Sequence, residues 1–391
     1  MHPLRLYREP SFYEEAASPP EWQEAMQKEF DALHANNTWI LTPFPVGKKP
    51  ISCKWVYKTK YKVDGSLERC KARLVIRGFT QKEGIDYNET FSPVVKMTTI
   101  RSLLATAAKK KWPIYQLDVN NAFLHGDLDE EIYMKPPPGL SVSSPNIVCK
   151  LQKSLYGLKQ ASRQWYAKLS DTLRILGFQQ SKNDYSLFHK LKDSTTVLLA
   201  VYVDDIVVTG NDPEEVTKLK TLFDDTFKIK DLGDLHYFLG IENIKASNGL
   251  IMTQRKFAIE LIKEFECDQI TATACPLASF SKELSNEDTL ADATSYRKLV
   301  GKLNYLTNIR PDIAFSVQYL SQFLQAPTQA NMKAALHTLR YIKKDPSQGL
   351  FFNNKPDYNL QAYCNSDWAQ CPYTRRSVSG YFILLGGSPI S

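Results

Sequence analysis

The stretch Val197-Leu-Leu-Ala-Val-Tyr-Val-Asp204-Asp205-Ile-Val-Val-Thr209 decides how the chain is read. Two short apolar runs flank a pair of adjacent carboxylates, the pattern of a buried β-hairpin with acids at its tip. Two ionised acids beside a core repel each other and lose hydration, so they need donors or a cation, and a hard divalent ion suits them. Aspartate also favours turns for its own backbone chemistry, so the pair alone leaves a structural reading open. Upstream, Trp112-Pro-Ile-Tyr-Gln-Leu-Asp118-Val-Asn-Asn-Ala-Phe-Leu-His125 reads as a short strand ending at Asp118, with Asn120 or Asn121 able to cap a helical turn. A third acid at a strand end, brought beside Asp204 and Asp205, would complete a two-ion site for phosphoryl transfer.

Further toward the N-terminus the charge is uneven. The whole chain of 391 residues carries a formal net charge of +7, whereas Lys48 to Lys82 holds eleven basic residues against Asp64 and Glu68, an excess of nine. Asp64-Gly65 predicts a two-residue hairpin turn. That turn sets Lys60 opposite Arg69 and Lys58 opposite Lys71. Lys54, Lys58, Lys60 and Lys62 then share a face with Arg69, Lys71, Arg73 and Arg77, while Trp55, Tyr57, Tyr61, Ala72, Leu74 and Ile76 face a core. Like charges across a ladder destabilise it, so the basic face points to a phosphate-bearing partner; a merely solvated lysine face is the alternative.

The rest of the composition narrows the class. With 43% hydrophobic and 23% charged residues, the chain is globular and long enough for two or three cores. No N-terminal apolar segment suggests secretion, and the longest apolar run, Val197 to Val203, is far short of a membrane span. The seven cysteines form no zinc-ligand spacing. Trp22, Met26, Phe30 and Leu33 predict a packed helix from about Pro20 to Thr38. Asp212-Pro213-Glu214-Glu215 predicts a helix cap followed by a stripe of Val216, Leu219, Leu222 or Phe223, and Phe227. After Pro327 a helix carries Ala335, Leu336, Leu339 and Ile342 on one stripe. Lys333, His337, Arg340 and Lys344 form another, either solvated or tracking a duplex backbone. Polar seams are read at Leu277 to Asp288 and Lys344 to Gly349.

The ordered blocks Lys71-Ala-Arg-Leu-Val75, Gly84-Ile-Asp-Tyr87, Glu89-Thr-Phe-Ser-Pro93, Gln116-Leu-Asp-Val119, Asn121-Ala-Phe-Leu-His-Gly-Asp127, Ser154-Leu-Tyr-Gly-Leu-Lys-Gln160 and Tyr202-Val-Asp-Asp205 resemble the motifs of copia-type reverse transcriptases. The resemblance continues through Tyr237-Phe-Leu-Gly240, Tyr296-Arg-Lys-Leu-Val-Gly301 and Arg310-Pro-Asp-Ile313, over nearly the whole chain. It implies an α+β right-hand polymerase of fingers, palm and thumb, then a helical connection and a truncated RNase H-like strand segment. The implied divisions are a lead-in at 1–20, fingers, palm and the start of the thumb at 21–276, a helical thumb or connection at 277–345, and an RNase H-like fragment at 346–391. The implied activity is RNA-directed DNA synthesis by two-metal nucleotidyl transfer to a primer 3′-hydroxyl.

In that resemblance Asp118, Asp204 and Asp205, with the carbonyl of Val119, hold two Mg2+ ions, with Mn2+ as a substitute. Lys71 and Arg73 bind the triphosphate, and Phe123 sits under the sugar, where an ordinary core ring is the other reading. Tyr156, Gly157, Lys159 and Gln160 shape the nucleotide pocket, Gly157 allowing close backbone approach and Lys159 or Gln160 meeting polar groups. Lys54, Lys58, Lys60, Arg69 and Arg77 contact nucleic acid. The implied partners are an RNA or DNA template with its primer, and dNTPs; no membrane is involved and the oligomeric state is left open. A cytoplasmic location is implied, with virus-like particles and nuclear access open.

Leu360-Gln-Ala-Tyr-Cys-Asn-Ser-Asp-Trp-Ala369 and Arg375-Arg-Ser-Val-Ser-Gly-Tyr381 resemble the opening strands of the attached RNase H domain. Asn365 stands where that motif has its first metal-binding acid, with Asp367 at the second, so RNase H activity is expected to be absent. Asn120 and Ser162 are smaller departures, at positions more often Lys and Pro. The chain is read as a fragment of a larger polyprotein or a product of a decayed copy. An inactive remnant that still binds nucleic acid, and a protein-interaction scaffold, are the competing readings.

Overall fold

The computed structural model describes residues 8–62, 64–277, 291–369 and 375–391. The seam read at Leu277 to Asp288 lies almost wholly outside the described residues, as does the start of the lead-in. The fold is mixed α/β, in two compact units. One comprises Met1–Val95, Leu117–Ile206 and Glu214–Asp231; the other comprises Lys96–Gln116, Val207–Pro213 and Leu232–Ser391. They interleave along the sequence rather than following contiguous divisions.

In the first unit the hairpin Cys53–Tyr61 and Leu67–Ile76 packs on the helix Pro20–Ala35. Alternation along Cys53–Tyr61 buries Trp55, Tyr57 and Thr59 and leaves Lys54, Lys58 and Lys60 exposed. The buried side joins Trp22, Met26 and Leu33 of the helix in one core, with Trp22 edge-on to Tyr57 at 5.3 Å. Burial of these aromatic and aliphatic faces is what fixes the register. Lys58 does pair with Lys71 and Lys60 with Arg69.

The turn departs from the expected two-residue form. Register shifts between Lys60 and Tyr61, so that Tyr61 pairs with Leu67 and is 40% exposed rather than in the core. The loop closes through the Lys62 N–H to the Ser66 carbonyl at 2.8 Å and the Gly65 N–H to the Lys62 carbonyl at 3.0 Å. Gly65 takes a φ of +82°. Asp64 accepts the Ser66 N–H at 2.9 Å, the local side-chain bond that aspartate favours in turns.

A six-stranded sheet has the order Ile229–Asp234, Ile114–Val119, Asp205–Gly210, Thr195–Tyr202, Leu187–Lys192, Gln179–Gln180. Its apolar strands, including Leu117, Val119, Leu199, Val201 and Ile206, are buried. The helix Pro213–Phe227 buries Val216, Leu219, Phe223 and Phe227, the stripe read from sequence, with Leu222 outside it.

In the second unit the helices Arg255–Glu264, Ala293–Leu306, Ala314–Ser321 and Gln329–Lys344 share a core that includes Leu261, Tyr296, Leu303, Val317 and Leu339. Thr328 and Asn331 form a reciprocal capping box on the last of them, which satisfies donors the helix start leaves open. The basic stripe of that helix is neither simply solvated nor free to track a duplex along its length. The His337 ring lies 3.1 Å from the Cys275 carbonyl, and Arg340 Nε donates to the Thr271 carbonyl at 2.7 Å. Lys344 leads through a turn into the strand Leu350–Asn353, which pairs with Gly249–Thr253 in a four-stranded sheet. The seam read at Lys344 to Gly349 is therefore a connection inside one unit.

The strands Leu360–Asp367 and Val378–Leu385 pair antiparallel, with Asn365 opposite Gly380. Every residue of Leu360–Asp367 is exposed. Leu360–Asp367 is also an edge strand of its three-stranded sheet, which continues through Val378–Leu385 to Ser388–Pro389. No helix among the described residues is long and apolar enough to cross a membrane.

Candidate nucleotidyl-transfer site

Asp118 is the penultimate residue of Ile114–Val119, and Asp205 opens Asp205–Gly210. Between the hairpin strands Thr195–Tyr202 and Asp205–Gly210, only Val203 and Asp204 form the turn. Val203 takes a φ of +55°, a conformation that β-branched residues rarely adopt and that stores strain. The Val119 N–H donates to the Asp204 carbonyl at 2.9 Å, which ties the turn to the strand bearing Asp118. Burial raises the Asp204 carboxyl from its ordinary value, and the Asp118 charge raises it further, while a backbone hydrogen bond, Lys71 and Arg73 pull it back. Asp118, Asp204, Lys71 and Arg73 thus share one electrostatic neighbourhood, although they come from three separate segments.

The donor set suits a hard divalent ion in kind, because the Asp118 charge acts on a partly buried Asp204 carboxyl and carboxylate oxygens are the ligands such ions take. The trio is not closed: among the described residues no three His, Cys, Asp or Glu side chains are gathered at metal-ligand spacing. Of the expected acids, Asp118 acts directly on the Asp204 carboxyl. Asn120 and Asn121 do not cap the next helical turn. The Asn120 side chain donates to the Lys228 carbonyl at 2.8 Å, and Asn121 takes a φ of +52° with no side-chain cap.

The basic residues divide. Arg73 pairs with Glu29 at 2.5 Å and lies over the Tyr156 ring, 5.4 Å from its centroid. Burial lowers the Lys71 ammonium first, then its neighbours Arg73, Arg69 and Lys60, with Asp118 opposing. Lys54, Lys60, Arg69 and Arg77 are exposed, and Lys58 lies 3.5 Å from Glu9. Glu29 was not legible as a partner, because it lies 44 residues from Arg73 in what reads as a plain amphipathic helix.

Phe123 meets Tyr156 edge-on at 4.9 Å and is partly buried against the core. Burial pushes the Tyr156 hydroxyl up to about 12. Gly157, at a φ of +94°, does allow a close approach, but to the protein's own backbone: a Cβ there would sit 2.1 Å from the Ile76 carbonyl oxygen. The Ile76 N–H donates to the Tyr156 carbonyl at 2.8 Å. Gln160 is not available to a ligand. It is fully buried, accepts from Gln81 Nε2 at 3.0 Å and donates to the Asp86 carbonyl at 3.0 Å. Lys159 is exposed, with its ammonium 3.1 Å from the Tyr87 hydroxyl.

Comparison with known proteins bears on the family. A family model described as reverse transcriptase (RNA-dependent DNA polymerase) matches residues 36–279. The chain is 43% identical to a retrovirus-related Pol polyprotein from transposon RE1 of Arabidopsis thaliana, over 99% of this chain and 27% of that protein. It is 39% identical to the Pol polyprotein from transposon TNT 1-94 of Nicotiana tabacum, over 98% of this chain and 30% of that protein. A transposon Ty5-1 protein of Saccharomyces cerevisiae is 32% identical over 70% of this chain and 91% of its own length. The chain thus spans under a third of the plant polyproteins it matches. Its sequence blocks and the family match together place it: the chain belongs to the reverse transcriptase (RNA-dependent DNA polymerase) family, among the copia-type retrotransposon Pol proteins.

Proposed function

We propose that this chain is the polymerase portion of a copia-type reverse transcriptase, adding dNTPs to a primer on an RNA or DNA template. The observation that carries this reading is the hydrogen bond from Val119 to Asp204, which ties the strand bearing Asp118 to the turn bearing Asp204, in the field of Lys71 and Arg73. In this reading the hairpin Cys53–Ile76 belongs to the fingers, the six-stranded sheet to the palm, and the helices from Arg255 to Lys344 to the thumb and connection.

Asp118, Asp204 and Asp205, with the Val119 carbonyl, would hold two Mg2+ ions, or Mn2+. When bound, such ions favour the alkoxide form of the primer 3′-hydroxyl and neutralise the triphosphate. Lys71 steadies the triphosphate as a point charge. Arg73 holds a second phosphate oxygen while Glu29 fixes its guanidinium plane. Phe123, braced by Tyr156, fills the space of a 2′-hydroxyl and so favours deoxynucleotides. The new bond forms between the primer 3′-oxygen and the α-phosphorus, and pyrophosphate leaves. Lys54, Lys60, Arg69 and Arg77 contact template or primer phosphates. The segment Leu360 to Ser391 is an RNase H-like piece without nuclease activity, since Asn365 is a poor metal ligand.

A second reading, an inactive remnant that binds nucleic acid through the basic hairpin, is favoured by one observation: the acid trio is not closed among the described residues. Primer extension on an RNA template with Mg2+ separates the two. Product that disappears in Asp204→Asn supports the polymerase; salt-sensitive binding with no extension supports the remnant.

A further inference from the structure

Beside the Asp204 turn and the segment that follows the Asp118 strand lies a cluster of rings that the proposed chemistry does not use. Trp165, on the helix Ala161–Ile175, is 1% exposed, and its indole N–H donates to the Val203 carbonyl at 2.7 Å. Val203 is the strained residue immediately before Asp204. His125 ends the short helical turn Ala122–His125 that follows the Asp118 strand, with its Nε2 at 3.2 Å from the Asn120 carbonyl, two residues beyond Asp118. The same ring also faces the Phe227 carbonyl. Phe227 packs edge-on against both: 5.0 Å from Trp165 and 5.4 Å from His125, between ring centroids. The approach is close along the backbone too, since a Cβ on Gly126 would fall 2.8 Å from the Trp165 amide nitrogen.

Trp165 therefore holds the carbonyl next to Asp204, His125 meets the carbonyl two residues beyond Asp118, and Phe227 packs against both rings. A tryptophan buried only for its area would need just one buried acceptor of any kind. Here that acceptor is the one whose position fixes a strained positive-φ residue, where the surroundings must over-determine the backbone. We infer that Trp165 and His125 are positioning residues which, through Phe227, fix the Asp204 turn and the end of the Asp118 strand relative to each other, and so support the binding of a divalent ion by these acids. This inference rests on the proposed polymerase reading of the acids.

The test compares Trp165→Phe, which keeps a ring and removes the N–H, with Phe223→Leu. Phe223 packs on Phe227 at 5.6 Å and trims the same cluster without bonding either turn. Free Mn2+ is counted by electron paramagnetic resonance in a titration of each protein, alongside thermal melting and primer extension. In Trp165→Phe, Mn2+ affinity is expected to fall about threefold to tenfold, the scale of one lost buried hydrogen bond. Its kcat is expected to fall by a similar factor, with the dNTP KM within about twofold. Phe223→Leu is expected to melt lower yet keep both Mn2+ affinity and kcat. Unchanged Mn2+ affinity in Trp165→Phe, or equal losses in the two variants at equal loss of Tm, overturns the inference, as does a wild-type protein that binds no Mn2+. A wild-type protein that binds Mn2+ but extends no primer sinks the polymerase reading instead, and the Mn2+ titration then still decides the role of Trp165.

Discussion

The Arg73 guanidinium lies 2.5 Å from the Glu29 carboxylate, and the other Glu29 oxygen accepts the Leu74 N–H at 3.2 Å. A charge from the basic face of the hairpin is thus fastened to the helix beneath it. Glu29 is 2% exposed; burial raises its carboxyl, and Arg73 opposes that rise. Removing one partner of such a pair leaves the other poorly solvated. Glu29→Ala is expected to destabilise the protein by about 3 kcal/mol, read from the denaturant midpoint, and to raise the dNTP KM because the guanidinium loses its fixed orientation.

Asp204 makes the metal-free protein pH-sensitive. Its folded carboxyl is raised above the unfolded value by burial and by Asp118. The folded state therefore holds the proton more tightly, and the stability this gives is full below the unfolded value and is lost as pH rises through the raised folded value. At neutral pH, Asp204→Asn is expected to melt higher than the wild type in chelator, and the difference is expected to vanish toward low pH. A lower Tm for Asp204→Asn at neutral pH would count against the electrostatic account.

Val203 carries strain of about 1–3 kcal/mol at its positive φ. Val203→Gly is expected to relieve part of it and raise the Tm by about 2–4 °C, while slowing extension because the turn before Asp204 loosens. Differential scanning calorimetry and single-turnover extension measure the two effects.

Gly157 and Gly78 meet back to back: a Cβ on Gly78 would lie 1.9 Å from the Gly157 carbonyl oxygen. With φ at +94° and the Ile76 carbonyl 2.1 Å from its own added Cβ, Gly157→Ala is expected to cost about 2–4 kcal/mol. Thermal melting reads this directly.

The basic face can be dissected by salt. Lys60 and Arg69 are exposed and cross-strand neighbours, so Lys60→Ala and Arg69→Ala should each reduce the slope of log K against log salt by about 1. Lys58→Ala should reduce it less, because Glu9 already offsets that charge at 3.5 Å. Slopes unchanged from the wild type in all three would remove the hairpin from the binding surface.

Much of this was legible in the residues. Period-two alternation placed Trp55 and Tyr57 inside and Lys54 and Lys60 outside, and the Lys58 to Lys71 pairing followed from the position of the turn. The paired acids at a hairpin tip could be read because apolar runs flank them on both sides. The bulge after Lys60 could not, since one glycine with positive φ serves either turn length. Nor could the burial of Gln160, whose partner Gln81 is 79 positions away, or the attachment of His337 and Arg340 to the segment around Thr271 and Cys275.

The sequence by itself determined which faces are apolar, where the carboxylates fall along their strands, and the family to which the blocks belong. These are properties of windows a few residues wide, set by side-chain period and turn chemistry. Only the tertiary structure decided which charges are already spoken for: Arg73 by Glu29, Lys58 by Glu9, and the Val203 and Asn120 carbonyls by Trp165 and His125. A polar group's partner is whatever the packed fold brings within about 3 Å, and that proximity depends on contacts between segments that no local pattern records.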